Sequence, residues 1–320
     1  MNEETVWRPV SVEGCALLGE GYYKKAYLLE DGTALVLHKP AAESEPSAQH
    51  LDPAIFESTL ASFRKAQFLY AHGVPMPEYL YLAEAEGCPG VVMECIRSHT
   101  LMGCLKVEPE RAEEYGVRCA EMLRALHSIH VLPKNKGSCS CTSGKPILPS
   151  VHECFLKMVE SVRPLITDVQ AEKAMEVICR IPVRDTLIHG DFRPRNIMMR
   201  KGALIFIDCD EAAFGHPILE LVSLYSAVVM AAHDTPQFSV KTSGLPAGTI
   251  VRFWNALLPA YLCTSDRMHI KEAERTVTGF AQLRKAAGIV RHSRDPIALQ
   301  ALPLLLNRFF AQADSLRISF

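Results

Sequence analysis

The stretch Leu187–Leu221, which reads LIHGDFRPRNIMMRKGALIFIDCDEAAFGHPILEL, decides how the rest of the chain is interpreted. An apolar run ends just before Asp191, and Asn196 follows five residues later. Two further apolar runs flank turn residues at 200–202 and predict a β-hairpin. This hairpin would deliver Asp208 beside the first two polar side chains. The sequence therefore predicts one place at which three oxygen-bearing side chains converge.

These residue types suit the transfer of a phosphoryl group. A carboxylate at Asp191 can orient a hydroxyl group, and Asn196 and Asp208 supply the oxygen ligands that a hard cation prefers. Taken singly, each residue is explained as well by a turn or by the end of a strand. The joint pattern continues as Gly-His-Pro-x-x-Glu-Leu over residues 215–221, and it is too long to favour chance.

The same motifs resemble those of the aminoglycoside phosphotransferase and choline kinase superfamily, the small-molecule relatives of eukaryotic-like protein kinases. The matching motifs lie between about residues 17 and 221. The resemblance implies that Asp191 is the catalytic aspartate, that Asn196 and Asp208 ligate Mg²⁺, and that His189 braces the loop. It also implies a bilobal α+β protein-kinase-like fold with ATP in the cleft between the lobes.

The predicted secondary structure changes along the chain, and this change agrees with two lobes. Up to residue 96 we predict an antiparallel sheet with one helix, and beyond it helical periodicity dominates. We expect a nucleotide-binding lobe over residues 1–96 and a mostly helical catalytic and substrate-binding lobe over residues 97–320. The predicted elements of the first lobe are strands at Val12–Leu18, Ala26–Leu29, Ala34–His38, Tyr79–Ala83 and Gly90–Glu94, and a helix from Asp52-Pro53 to His72-Gly73.

Candidate nucleotide-binding residues lie in the first lobe. Gly19 and Gly21 fall between two predicted strands, where backbone N–H groups can approach phosphates, although two glycines alone usually only make a turn. Lys39 ends the next strand and resembles the kinase lysine that pairs with the α- and β-phosphates. By resemblance, the Glu94 carbonyl and the Ile96 amide would bind the adenine edge.

Three positions depart from the family pattern or leave a choice open. Arg193 either contacts the γ-phosphate or is an exposed loop arginine. The helix glutamate that normally pairs with the strand lysine is missing, because residues 62–65 read Ser-Phe-Arg-Lys. Glu57 could replace it only if the helix were shifted. Glu220 stands where the family usually has aspartate.

Composition narrows the class of partner. The 34 Lys and Arg residues against 36 Asp and Glu give a net charge of −2, so nucleic acid and anionic membranes are not expected partners. Neither the acidic N-terminus nor any apolar run resembles a signal or a spanning segment. The 11 cysteines are scattered and predict reduced thiols in the cytoplasm. Cys139-x-Cys141 lacks a second ligand pair, which favours a loop over a zinc site.

The sequence as a whole predicts an ATP- and Mg²⁺-dependent phosphotransferase that acts on a hydroxyl group of a small molecule. An aminoglycoside, choline, a sugar or a related metabolite would all suit this framework. The missing helix glutamate keeps a nucleotide-binding pseudokinase open as the alternative. A protein kinase is disfavoured, since no recognisable activation segment follows Asp208. The oligomeric state is not readable from the sequence.

Overall fold

The structure of the protein, a computed structural model, describes residues 6–21, 24–39, 53–130, 147–293, 295–318 and 320. The chain divides into two compact units. Unit 1 contains Met1–Ser98 and the later segment Ile205–Asp210, and unit 2 contains His99–Leu204 and Glu211–Phe320. Asp208 therefore folds with the N-terminal region. The Cys139-x-Cys141 pair lies outside the described residues.

Unit 1 is built around a six-stranded sheet with the strand order β1-β5-β6-β4-β3-β2. All neighbouring strands are antiparallel except β1 and β5, which are parallel. The five predicted strands are present, and the two-residue β1 adds a parallel edge that is too short to leave a sequence pattern. The strands are β1 (Arg8–Pro9), β2 (Ala16–Glu20), β3 (Lys24–Leu28), β4 (Ala34–His38), β5 (Tyr79–Ala85) and β6 (Cys88–Met93), and the helix is α1 (Pro53–Ala71).

Successive side chains of a strand point to opposite faces of the sheet, so the positions of the apolar residues determine which face is apolar. Leu35 and Leu37 of β4 are buried in one cluster with Ala83 and Val92. Phe63 of α1 packs in a second cluster with residues of β5 and β6. The side chains of β4 that alternate with the two leucines therefore point away from the first cluster.

Unit 2 is mostly helical. Its helices are α2 (Leu101–Val107), α3 (Ala112–His127), α4 (Val151–Val162), α5 (Asp168–Cys179), α6 (Ile218–Leu224), α7 (Met230–Asp234), α8 (Ser239–Ser243), α9 (Ala247–Leu262), α10 (Arg267–His292), α11 (Pro296–Gln300) and α12 (Leu302–Gln312). A π-helical segment, Tyr225–Val229, joins α6 to α7. Among the described residues, no helix combines the length and the apolar character that crossing a membrane requires.

Two short sheets frame the stretch that decided the sequence interpretation. Strand β7 (Thr186–Ile188) pairs antiparallel with β10 (Ala213–Gly215). Strands β8 (Ile197–Arg200) and β9 (Ala203–Phe206) form the predicted hairpin. The loop between β7 and β8 carries Asp191 and Asn196, and the chain after β9 carries Asp208. Strand ends thus position all three side chains.

Candidate active site

Asp191 is the most highly coordinated side chain of its loop. The Asn196 side-chain amide donates to the Asp191 carbonyl oxygen at 3.0 Å and to Oδ2 at 2.8 Å. Arg193 Nη2 lies 2.7 Å from the same Oδ2. On the other carboxylate oxygen, Ser223 Oγ donates at 3.4 Å and Arg284 Nη2 lies 3.6 Å away. These contacts hold a carboxylate in one orientation while leaving its side chain 18% exposed, as a group that must meet a substrate requires.

The residue before Asp191 allows the loop to make a tight turn. Gly190 has a φ of +84°, and a Cβ at this position would overlap the backbone carbonyl of Glu211. Only glycine combines that backbone angle with the close approach. The Gly190 N–H donates to Glu220 Oε1 at 2.6 Å, and its carbonyl oxygen accepts from Arg284 Nη2 at 3.0 Å. Both backbone groups of Gly190 are therefore anchored to helices of unit 2.

Glu220 is a fully buried acid at the base of this loop. Burial raises the pKa of its carboxyl group to about 7, against the opposing effects of the Gly190 amide and of the Arg284 charge. Oε2 has no hydrogen-bond partner among the described residues, and the favourable contacts of the carboxyl group do not outweigh the cost of ionising it in a buried position. The longer side chain that replaces the expected aspartate still reaches the loop backbone.

Arg193 was predicted either to contact the γ-phosphate or to be an exposed loop arginine. Its guanidinium pairs with Asp191, and its Nε is buried without a hydrogen-bond partner in the described part of the chain. The Arg193 side chain is nevertheless 40% exposed, so both alternatives stay predictions. To contact a γ-phosphate, the Arg193 guanidinium would have to turn away from the Asp191 carboxylate. That contact stays a prediction.

In unit 1, Asp208 adopts a backbone conformation that is uncommon for aspartate. Its φ is +61°, in the left-handed region, which costs about 1 kcal/mol or more for a residue with a Cβ. Lys24 Nζ lies 3.6 Å from Asp208 Oδ1 and 2.5 Å from Asp210 Oδ2. Lys65 of α1 donates to the Asp210 carbonyl oxygen at 2.5 Å. An aspartate in this backbone conformation with a lysine ammonium beside its carboxylate is a feature often found at functional sites.

The predicted phosphate-binding lysine, Lys39, has a different partner. It follows the last residue of β4, and its ammonium pairs with Glu20 at the end of β2. Glu57 is exposed on α1, so the pairing suggested for a shifted helix is not formed. Contact with the Asp208 segment is made by Lys24, which the sequence analysis did not single out.

The structure describes the predicted glycine loop up to residue 21 and again from residue 24. Gly19 lies in β2 next to a bulge, and the Gly21 N–H donates to the Lys24 carbonyl oxygen at 2.8 Å. Within the described residues, a Cβ on Gly19 would meet no atom within 4 Å. The phosphate-binding role of Gly19 and Gly21 stays a prediction.

The predicted hinge follows the last residue of β6. The Glu94 N–H donates to the Glu78 carbonyl oxygen at 2.8 Å, and the Ile96 carbonyl oxygen accepts from Ser98 at 3.1 Å. Within the described residues, the Ile96 N–H makes no hydrogen bond, so this donor is available to an adenine edge. The roles assigned to Glu94 and Ile96 stay predictions.

The donor chemistry of the predicted metal ligands fits Mg²⁺. Asn196 uses its amide nitrogen towards Asp191, which leaves its oxygen as the ligand atom, and Asp208 contributes a carboxylate. No group of three or more His, Cys, Asp or Glu in the described ranges forms a protein-only metal site. Each of the two residues thus offers an oxygen of the kind that Mg²⁺ prefers, and their role as its ligands stays a prediction.

Two residues of unit 2 escaped the sequence analysis. Arg284 lies in the middle of α10 and Ser223 near the end of α6, each far along the chain from Asp191. Neither belongs to a local motif. A half-buried arginine inside an amphipathic helix is the one signal that could have drawn attention to Arg284.

Comparisons with solved structures identify the fold. The ADP-bound aminoglycoside phosphotransferase APH(2'')-Ib is similar in structure, with a TM-score of 0.56 at 16% identity over 93% of both chains. The amicoumacin kinase hAmiN, in complex with AMP-PNP, Ca²⁺ and Ami, gives a TM-score of 0.56 at 14% identity, covering 97% of this chain and 90% of its own. A choline/ethanolamine kinase family protein from Mesorhizobium loti gives 0.50 at 14% identity, covering 94% and 87%. These similarities confirm the predicted bilobal α+β kinase-like fold.

A search of curated protein sequences finds no match for this chain. A family model does match. The model described as the phosphotransferase enzyme family (APH) matches residues 15–245, well over half of the chain, and this range includes every predicted site residue. The predicted enzyme class and family are thereby confirmed: this chain belongs to the phosphotransferase enzyme family.

Proposed function

We propose that the chain transfers the γ-phosphate of ATP to a hydroxyl group of a small molecule. The observation that carries this proposal is the Asp191 loop, in which a partly exposed carboxylate is oriented by Asn196, Ser223 and two arginines. Phosphoryl transfer depends on positioning and on neutralising charge, and it needs one group to orient the acceptor hydroxyl. Asp191 is suited to that task.

The remaining residues take the roles that the family resemblance implies for them. Asp191 orients the acceptor hydroxyl and accepts its proton as the new bond forms. Arg193, now paired with Asp191, can turn to the transferred phosphate. Ile96 and Glu94 bind the adenine edge through their backbone, and the glycines at 19 and 21 let the chain approach the phosphates.

Asn196 and Asp208 would hold Mg²⁺. When bound, the cation neutralises the charge of the phosphates and fixes their geometry. The donor set is restricted to oxygen, which favours Mg²⁺ over a softer metal. Asp208 would supply one of these oxygens from a residue in the left-handed backbone region.

The acceptor is restricted to a class rather than to a compound. An aminoglycoside, choline, a sugar or a related metabolite would each present a hydroxyl group to Asp191. The similar structures named above include an aminoglycoside phosphotransferase and an amicoumacin kinase, so hydroxyl-bearing antibiotics belong in the first panel. We place the activity in the cytoplasm, where ATP is available, and the nine described cysteines, all free, are consistent with that compartment.

The test is phosphate transfer from labelled ATP, with Mg²⁺, to a panel of antibiotic, amine-alcohol and sugar acceptors. Asp191→Asn keeps the size and the acceptor oxygen of the side chain but loses its basicity. We expect this variant to transfer about 10²- to 10⁴-fold more slowly while it still binds ATP. The matched control is Asp314→Asn, an aspartate whose side chain is 81% exposed, which should transfer at the wild-type rate.

The outcomes separate the two functions that the sequence left open. Transfer that is lost in Asp191→Asn and in Asp208→Ala supports the proposal and names the acceptor class. Binding of ATP without transfer to any acceptor would favour the pseudokinase. Full activity in Asp191→Asn would refute the role given to this carboxylate.

A further inference from the structure

Two lysines of unit 1 compete for the role of phosphate-binding ammonium, and the register of the sheet separates them. Strands β3 and β4 pair antiparallel with Lys24 opposite His38. Directly opposed residues point to the same face of a sheet. Leu37, the neighbour of His38, is in the apolar cluster, so Lys24 and His38 share the other face. Lys39 is the next residue beyond His38, outside the strand.

The surroundings of the two lysines differ in kind. The Lys24 ammonium reaches Asp210 at 2.5 Å and Asp208 at 3.6 Å, with 26% of its side chain exposed. Lys39 is equally exposed, but it pairs with Glu20, whose side chain is 46% exposed. Asp208 is the predicted metal ligand. Lys24 is therefore the ammonium beside the metal-binding carboxylate.

The pairing on α1 also differs from the family pattern. Where a helix glutamate is expected to hold the strand lysine, α1 presents Ser62 and Lys65, which bond to the Asp210 side chain and to its backbone carbonyl. Asp210 receives contacts from the helix and from Lys24 at once. It occupies the connecting position that the helix glutamate would otherwise fill.

Charge states agree with this assignment. The Lys24 ammonium lies between the carboxylates of Asp208 and Asp210, which suits a positively charged side chain. Burial and the Lys24 charge lower the pKa of His38. Lys24 and His38 are opposed in the β3–β4 pair, and the ammonium on their face is that of Lys24.

We propose that Lys24 of β3, held by Asp210, is the ammonium that binds the α- and β-phosphates of the nucleotide, in place of Lys39. This inference rests on the proposed function and deepens it. A lysine with an acidic partner is present, as in the family pattern, but the positions differ. The lysine is Lys24 on the neighbouring strand β3, and the acid is Asp210 in the segment after β9. The missing helix glutamate is then no sign of lost activity.

The first test measures ADP affinity by calorimetry in EDTA, so that no cation takes part. Lys24→Met should weaken ADP binding by about tenfold or more, since it removes a charge-assisted contact with phosphate. Lys39→Met is the matched control, with the same substitution at an equally exposed lysine, and it should stay within about twofold of wild type. Equal losses in both variants, or a loss confined to Lys39→Met, would overturn the assignment.

The second test leaves the fold intact by using the wild-type chain. An acyl phosphate of ATP transfers its acyl group to a nearby lysine: the ε-amine attacks the carbonyl carbon, an amide forms, and ATP leaves. Mass spectrometry should place the label on Lys24, and excess ATP should prevent it. Labelling of Lys39 alone, or of neither lysine, would refute the proposal.

Failure of the proposed function has a different signature. If the wild-type chain binds no ADP at millimolar concentration, the nucleotide role of unit 1 is wrong, and this inference falls with it. If wild type binds ADP and Lys24→Met binds equally well, only the Lys24 assignment is wrong.

Discussion

Replacing Glu220 with glutamine tests whether the Asp191 loop rests on an acid that is costly to ionise. Glu220 is completely buried, and its Oε1 accepts from the Gly190 N–H at 2.6 Å. Burial raises the pKa of its carboxyl group from 4.5 to about 7. The folded state therefore retains this proton at pH values where the unfolded state has lost it.

The sign and size of the effect follow from linkage. An acid whose pKa is raised in the folded state contributes stability that is fully present below pH 4.5 and is lost as the pH rises towards about 7. Between pH 5 and pH 8 this loss amounts to about 2.5 kcal/mol of unfolding free energy. Glutamine does not titrate. The stability of Glu220→Gln relative to wild type should therefore improve by about 2.5 kcal/mol over that interval.

Urea unfolding followed by circular dichroism, at pH 5 and at pH 8, measures this difference. Glutamine keeps an oxygen for Gly190 and places its nitrogen where Oε2 lacks a described partner. That substitution costs stability equally at both pH values, so only the change with pH is decisive. Glu121→Gln, at an exposed position of α3, is the control. The reasoning would be refuted if the difference in unfolding free energy between wild type and Glu220→Gln were the same at pH 5 and at pH 8.

Two further predictions concern packing and positioning. Gly116→Ala should lower stability by about 1 to 3 kcal/mol, since its Cβ would overlap the Phe253 carbonyl. Gly288→Ala in α10 should raise stability by about 0.5 to 1 kcal/mol, because its Cβ would meet no atom of the described residues within 4 Å. Melting temperatures of the two variants that move in the same direction would contradict this pair of predictions. Arg284→Met should lower kcat on the order of tenfold with the KM for ATP unchanged, because Arg284 holds the Gly190 carbonyl and lies beside Asp191, and Arg284→Lys should restore part of the rate. An unchanged kcat would remove Arg284 from the loop's support.

Local patterns allowed much of the fold to be predicted. Proline at the first position of α1 and the glycine after its end bound that helix within a residue or two of the prediction. The β8–β9 hairpin followed from turn residues between two apolar runs. These features depend on residues only a few positions apart, so their signals are present in the sequence.

The loop that carries Asp191 and Asn196 was also readable from the sequence. The two residues are five apart, and the hydrogen bonds that join them lie within one turn of chain. Such short-range contacts constrain which residue types can stand at each position. The family motif and the local geometry therefore coincide.

The tertiary structure decided which lysine meets Asp208 and which helices support Asp191. Lys24 is opposite His38 in the β3–β4 pair, whereas Lys39 lies one residue beyond the end of β4 and pairs with Glu20. The contact from Lys24 to Asp210 joins residues 186 positions apart, and that from Arg284 to Gly190 joins residues 94 apart. Contacts over such separations leave no local pattern, since register and packing alone bring the two residues together. The sequence by itself determined the family and the residues of the catalytic loop. The tertiary structure decided which charged side chains contact Asp208 and which contact the Asp191 loop.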